Sequence, residues 1–203
     1  MNMTNSAAQL LLADPQPYGM SREKWTEKWW LWLHSIPKSV NPANDMTGEE
    51  CARNQIEANM WFLAGTFGKL VKRTCLVPSN RAILFPIINS IHLLSESLAF
   101  KSESDLEAKV RNEADNVTEM NLTIDGLQLS DLKKYRIYTR AFDIITPEDN
   151  IWGVKPGKTR AAADGYWIFL RPLSPGRHTI EFFGKDLDLF ETGVTYELMV
   201  RNN

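Results

Sequence analysis

The first clear pattern along the chain is a helical stripe. Trp25, Trp29, Trp32, Leu33 and Ile36 recur at the spacing of one helix face, while Lys24, Glu27 and Lys28 fall opposite. Ser21 stands where an N-cap belongs, and Glu23 in the first turn suits the positive end of the helix dipole. Pro37 ends the pattern. Trp30 and Leu31 widen the stripe. Each tryptophan carries about 150–250 Å² of surface. The stripe is therefore expected to pack on an open sheet face, with Trp30, off its centre, partly exposed. Before the helix, residues 1–20 read as an extended arm punctuated by Asp14-Pro15, Pro17 and Gly19.

Beyond residue 55 the period changes from that of a helix to that of strands. Short apolar or alternating runs at 61–67, 70–77 and 82–85 are separated by turn residues. Pro86 marks an edge or a bulge in the third of them. A helix is expected over 102–116, capped by Ser104, with Leu106, Val110 and Ala114 as its apolar face. Strands resume at 121–124, turn at Asp125-Gly126, and return at 135–142. The stretch 147–163, which holds Trp152, reads as a long loop. Residues 165–170, 178–183 and 194–200 complete seven or eight strands. The fold class is mainly β: a β-sandwich, jelly-roll-like or Ig-like, with an N-terminal tryptophan-rich helix and one further helix. No composition shift divides residues 21–203, which read as a single domain behind the arm 1–20.

Composition narrows the function. Hydrophobic residues make up 43% of the 203 and charged residues 24%, enough for a real core. The net charge of −2 leaves no basic excess for nucleic acid. No apolar run approaches the roughly 18–20 residues of a membrane span. Leu10-Leu11-Leu12 is too short for a signal-peptide core and the first basic residue is Arg22, so no signal peptide is recognised. That pattern suits a cytoplasmic protein or a mature exported one. Cys51 and Cys75 are too far apart for a CxxC site. They fit either two buried thiols or a disulfide worth about 3–4 kcal/mol.

The sequence resembles a family of uncharacterised, often exported bacterial proteins. The likeness rests on Trp29-Trp30-Leu31-Trp32-Leu33, Ser35-Ile36-Pro37, Asn41-Pro42, Gly48 with Cys51, Trp61-Phe62-Leu63-Ala64-Gly65-Thr66, Arg73-Thr74-Cys75 with Val77-Pro78, Phe85-Pro86 with Asn89, and Asp164-Gly165-Tyr166-Trp167 with Pro172-Leu173, Pro175-Gly176 and His178. These span most of residues 25–183. The resemblance brings no established activity. It implies an exported setting in which Cys51 and Cys75 are bridged, and a helix and strands that form one unit.

Candidate chemistry is scattered. His34, His92 and His178 show neither HxH nor HExxH spacing, so no local metal motif exists and no metal is predicted. Asn44-Asp45 before Gly48 lacks the ligand spacing of an EF-hand. Gly157-Lys158-Thr159 lacks the earlier glycine of a phosphate loop, so no nucleotide or other cofactor is predicted. Acidic residues gather at Glu49-Glu50, Asp143 and Glu148-Asp149. Asn2, Asn116 and Asn121 open glycosylation triplets. The leading expectation is a non-enzymatic protein that binds a small molecule, a glycan or a protein partner, with Trp30 and Trp152 as stacking surfaces. One alternative is a hydrolase with a metal- or carboxylate-based site assembled from His34, His92, His178, Asp143 or Asp164. Another is a structural subunit of a homo-oligomer that uses the N-terminal arm.

Overall fold

A computed structural model describes residues 7–202. Helix α1 (Arg22–His34) precedes strands β1 (Met60–Phe62), β2 (Leu70–Pro78) and β3 (Ala82–Leu93). Helix α2 (Glu103–Asp115) follows, and then β4 (Val117–Ile124), β5 (Leu127–Gln128), β6 (Arg136–Thr146), β7 (Gly157–Leu170), β8 (Gly176–Asp186) and β9 (Glu191–Arg201). One sheet has the order β1-β3-β7-β6 and the other β2-β9-β8-β4-β5. The pairs β1/β3 and β2/β9 are parallel and the rest antiparallel. The sheets face each other over a core that includes Phe85, Ile168, Phe182 and Tyr196.

Alternation explains this layering. In β7, Ala161, Ala163, Trp167 and Phe169 belong to a second core beneath α1, while Ile168 and Leu170 face the other sheet. Ala162 meets Leu106 and Val110 of α2. The first sheet therefore has α1 on one face, and sheet and α2 side by side on the other. The three alanines explain why 157–163 does not read as a strand. Alanine has poor β propensity, but here all three are buried, Ala161 and Ala163 in the cluster shared with α1 and Ala162 in the one shared with α2. The expected long loop shrinks to the stretch between β6 and β7.

Two more expectations need correction. The strand expected over 61–67 ends at Phe62. Leu63 N still donates to Leu84 O (3.0 Å), but the next carbonyls turn to Arg73. Its guanidinium, only 1% exposed, donates to the carbonyls of Ala64 (2.8 Å), Gly65 (3.1 Å), Asp45 (2.8 Å) and Ala43 (3.3 Å). A buried charge satisfied by carbonyls holds the crossing between the two sheets in place. Second, α2 is capped by Ser102, not Ser104, in a reciprocal box with Asp105. The part of the arm within the described residues is docked: Leu12 N donates to Phe169 O (2.8 Å) and Arg171 N to Leu10 O (2.9 Å). The arm fills the edge of β7 that β6 leaves uncovered.

Cys51 and Cys75 form a disulfide. Beside it Gly48, at φ +97°, lies where a Cβ would come within 2.2 Å of Thr74 O, so the loop meets β2 only with glycine there. Asp45 organises this loop by accepting from the amides of Thr47 (2.8 Å), Gly48 (2.9 Å) and Glu50 (2.9 Å). Its carboxylate thus serves as a turn anchor.

Candidate functional site: a cleft at the open edge of β3

β1 pairs only with residues 82–84 of β3. Beyond Leu84 no strand among the described residues covers that edge. A cavity of about 350 Å³ runs along it. Trp29, Trp30 and Leu33 of α1 line one side, with Trp152 and Phe67 at one end. Glu113 and Ala114 of α2 line the other side, and Asp186, Asp188 and Phe190 of the β8–β9 turn close it. Size and mostly apolar lining match a small-ligand site.

A bulge between Pro86 and Ile88 sets what faces the cleft. It places Ile87 and Ile88 together in the inter-sheet core. Past it, Ile91 packs beneath α1, and Ser90 and His92 reach Glu113 on the α2 side. Gly165 lets β3 and β7 close here, since a Cβ would lie 2.5 Å from that of Asn89.

The aromatic end is unusual in its hydrogen bonding. Three of the four helix tryptophans donate to carbonyls: Trp25 to Pro17 (2.8 Å), Trp29 to Leu63 (2.9 Å) and Trp32 to Arg53 (2.8 Å). Trp30, which lines the cleft, is only 3% exposed, and its Nε1 meets no acceptor among the described residues. The side-chain amide nitrogen of Asn89, also on the cleft wall, is buried and unpartnered too. Trp30 packs edge-on against Trp29 (4.8 Å) and Trp152 (6.2 Å), and Trp152 meets Phe67 (5.1 Å) and His34 (4.7 Å). Burial lowers the His34 pKa to about 4, although its Nδ1 bonds Trp30 O (3.0 Å). A carbonyl can only accept, so the Nδ1 carries the proton and Nε2 is left as a buried acceptor.

The polar end is an ion-pair lattice. Glu113 accepts from His92 Nε2 (3.0 Å), Lys109 Nζ (2.8 Å) and the Ser90 hydroxyl, and Glu96 takes His92 Nδ1 (3.1 Å). Burial opposes the His92 charge, but the bonds to Glu113 and Glu96 outweigh it and raise its pKa to about 9. Burial also opposes the Glu113 charge, and the bonds from His92, Lys109 and Ser90 bring its pKa down to about 2. Neither group is poised to exchange a proton near neutrality, as a general acid or base must be. The two carboxylates take opposite nitrogens of the ring, so all three cannot turn to one cation. Among the described residues no three His, Cys, Asp or Glu side chains are arranged to hold a metal.

The sequence candidates divide accordingly. Trp30, Trp152, His92 and Asp164 line the cleft, with His34 behind Trp152. Trp30 is buried rather than partly exposed, because Trp152 and its loop cover it. Asp164 pairs with Arg136 (2.8 Å), yet burial keeps its pKa above the usual value. His178 lies on the other sheet between Asp125 (2.7 Å) and Ser174 O (2.9 Å). Asp143 is exposed and paired with Lys158 and Arg160 (both 3.0 Å). The three histidines do not meet. Lys158 and Thr159 lie in β7, the triplets at Asn116 and Asn121 lie at the end of α2 and in β4, and the one at Asn2 lies outside the described residues. Glu113, Ser90 and Phe67 are cleft residues that no sequence motif indicates; Pro86 within an apolar run was the one available sign of an open edge. No protein-family profile, curated protein or solved structure matches this chain.

Proposed function

We propose that this protein is a non-catalytic binding protein whose ligand occupies the cleft at the β3 edge. The observation that carries the reading is the Trp30 indole N–H, buried in the cleft wall without an acceptor while its three helix neighbours are satisfied. A buried donor left unpaired costs about 1–3 kcal/mol, and a ligand bearing acceptors removes that penalty. Small molecules, glycans and peptides all carry such acceptors. The locked His92–Glu113 pair and the dispersed histidines count against the hydrolase alternative. The disulfide supports an oxidising, exported setting. Non-reducing mass spectrometry of natively produced protein tests that setting, and two free thiols would refute it.

The binding test uses anilinonaphthalene sulfonate, an apolar fluorophore with acceptor oxygens. One saturable site is expected. It should weaken about tenfold in Trp152→Ala and Trp30→Phe and be unchanged in Leu76→Ala, an exposed apolar position on the other sheet. Unsaturable binding, or equal loss in all three variants, would remove the cleft as the binding site.

A further inference from the structure

The geometry points to an extended peptide as the occupant, added as a strand to the open edge of β3; this rests on the binding reading above. The first support is the phase of the backbone. Ala163 N and O both bond the Thr139 hydroxyl on the β6 side (3.0 and 3.1 Å). Alternation then turns residues 162, 164 and 166 of β7 towards β3. Through the register Ile88↔Tyr166, Ser90↔Asp164 and His92↔Ala162, the main chain of Ile88, Ser90 and His92 is used by β7. The main-chain groups of Asn89 and Ile91 face the cleft instead. Backbone donors and acceptors facing a mostly apolar cleft suit main-chain partners.

The second support is the recess. The edge lies between the α1 tryptophans and the β8–β9 turn, so a lone strand can reach it and the flush edge of a second sheet cannot. Natural edges are shielded against such pairing. Here Pro86 removes one donor just beyond the point where β1 departs. The third support is the pair of orphan donors, Trp30 Nε1 and Asn89 Nδ2, which suit peptide carbonyls.

Successive side chains of an added strand point to opposite faces. One set would meet Trp30 and Trp152. The next would meet Asp186, whose Oδ1 already accepts from Phe190 N (2.9 Å), and the exposed Asp188. The favoured ligand therefore alternates apolar and basic residues.

The probe is a capped, fluorescein-labelled heptapeptide, Lys-Leu-Lys-Phe-Lys-Leu-Lys, titrated into the full oxidised chain by anisotropy. One-to-one binding is expected. N-methylation of alternate backbone amides should weaken it tenfold or more, while methylation of the intervening amides leaves it nearly unchanged. Asn89→Pro removes an outward N–H together with the Asn89 Nδ2 donor, without touching the β3/β7 ladder, and should weaken binding similarly while the fold is retained. Amide exchange should slow at Asn89 and Ile91 on peptide addition, a readout independent of any variant. A methylation scan without period two, equal binding of a peptide of the same composition with its lysines blocked together, or no binding at all would overturn the proposal. So would a dimer of this chain in solution that Asn89→Pro disperses. If the fluorophore binds at the cleft and the peptide fails, the peptide reading alone falls.

Discussion

The helices α1 and α2 have the same length, 13 residues, and lie on opposite faces of one sheet, yet they are held by different forces. α1 buries Trp25, Trp29, Trp30, Trp32 and Leu33. α2 buries only Leu106, Val110 and Ala114. It is tied instead by polar bonds: Glu103 to Arg160 (2.7 Å), Glu107 to Ala141 N (3.1 Å), Tyr166 Oη to Ala114 O (3.2 Å), and Glu113 to His92. α1 is fixed chiefly by buried area, with its tryptophan N–H bonds in addition, and α2 chiefly by charge and hydrogen bonds. Truncation, pH and salt should therefore separate the two faces, and the cleft lies where they meet.

The largest effect is expected under α1. Trp29→Ala should destabilise by about 3–5 kcal/mol in denaturant unfolding, since it removes a ring packed on Trp30 and Trp167 and leaves Leu63 O without its donor. A loss below 1 kcal/mol would break the contrast. On the α2 side, Arg136→Ala should remove about 3 kcal/mol by stranding Asp164. Arg136→Met combined with Asp164→Leu should recover most of that loss. The raised pKa of Asp164 says that its site disfavours the charge even when paired, so the pair is worth little against an apolar replacement.

Titration should separate the faces by sign. His34, on α1, has its pKa lowered to about 4. Between the unfolded value of about 6.5 and about 4 the unfolded chain takes up the proton first, so stability falls as pH falls. His92, facing α2, has its pKa raised to about 9. Its contribution is complete below about 6.5 and is lost as pH rises towards 9. These two groups place the maximum of Tm near pH 6.5. His92→Gln should flatten the alkaline limb alone, and His34→Gln the acid limb between pH 6.5 and 4. A shared response would mean that the two faces are one electrostatic unit. The smallest effect belongs to the surface. A double-mutant cycle on Glu103 and Arg160, both partly exposed, should give about 0.5 kcal/mol and fade in high salt.

These differences also explain what the sequence could disclose. α1 is legible because its tryptophans keep the period of a helix through Trp25, Trp29 and Trp32. β2 is legible because Val71, Arg73, Cys75 and Val77 alternate into the core, although nothing local says that Arg73 is buried. The first half of β7 is hidden because its alanines are chosen by two neighbouring helices rather than by strand propensity. The end of β1 is set by a guanidinium that arrives from the next strand. The cleft is hidden for the same reason. It depends on where β1 stops, on a bulge at Pro86, and on a register that brings Ser90 and His92 opposite Glu113, all of which are decided between segments. Trp152 could be singled out by type, but its place against Trp30 could not.

The disulfide has a mechanical consequence. Cys51 and Cys75 are 24 positions apart along the chain and 6.0 Å apart between Cα atoms. If the oxidised molecule is pulled by its two ends, tension passes across the sulfurs and bypasses everything between them. About 75 Å of contour length is withheld at full extension, at roughly 3.3–3.6 Å per residue. The withheld segment contains β1, the crossing at Ala64 and Gly65, and Thr66 and Phe67 at the end of the cleft. α1 and the later strands carry the load, while this corner of the binding wall stays slack until the bond is reduced.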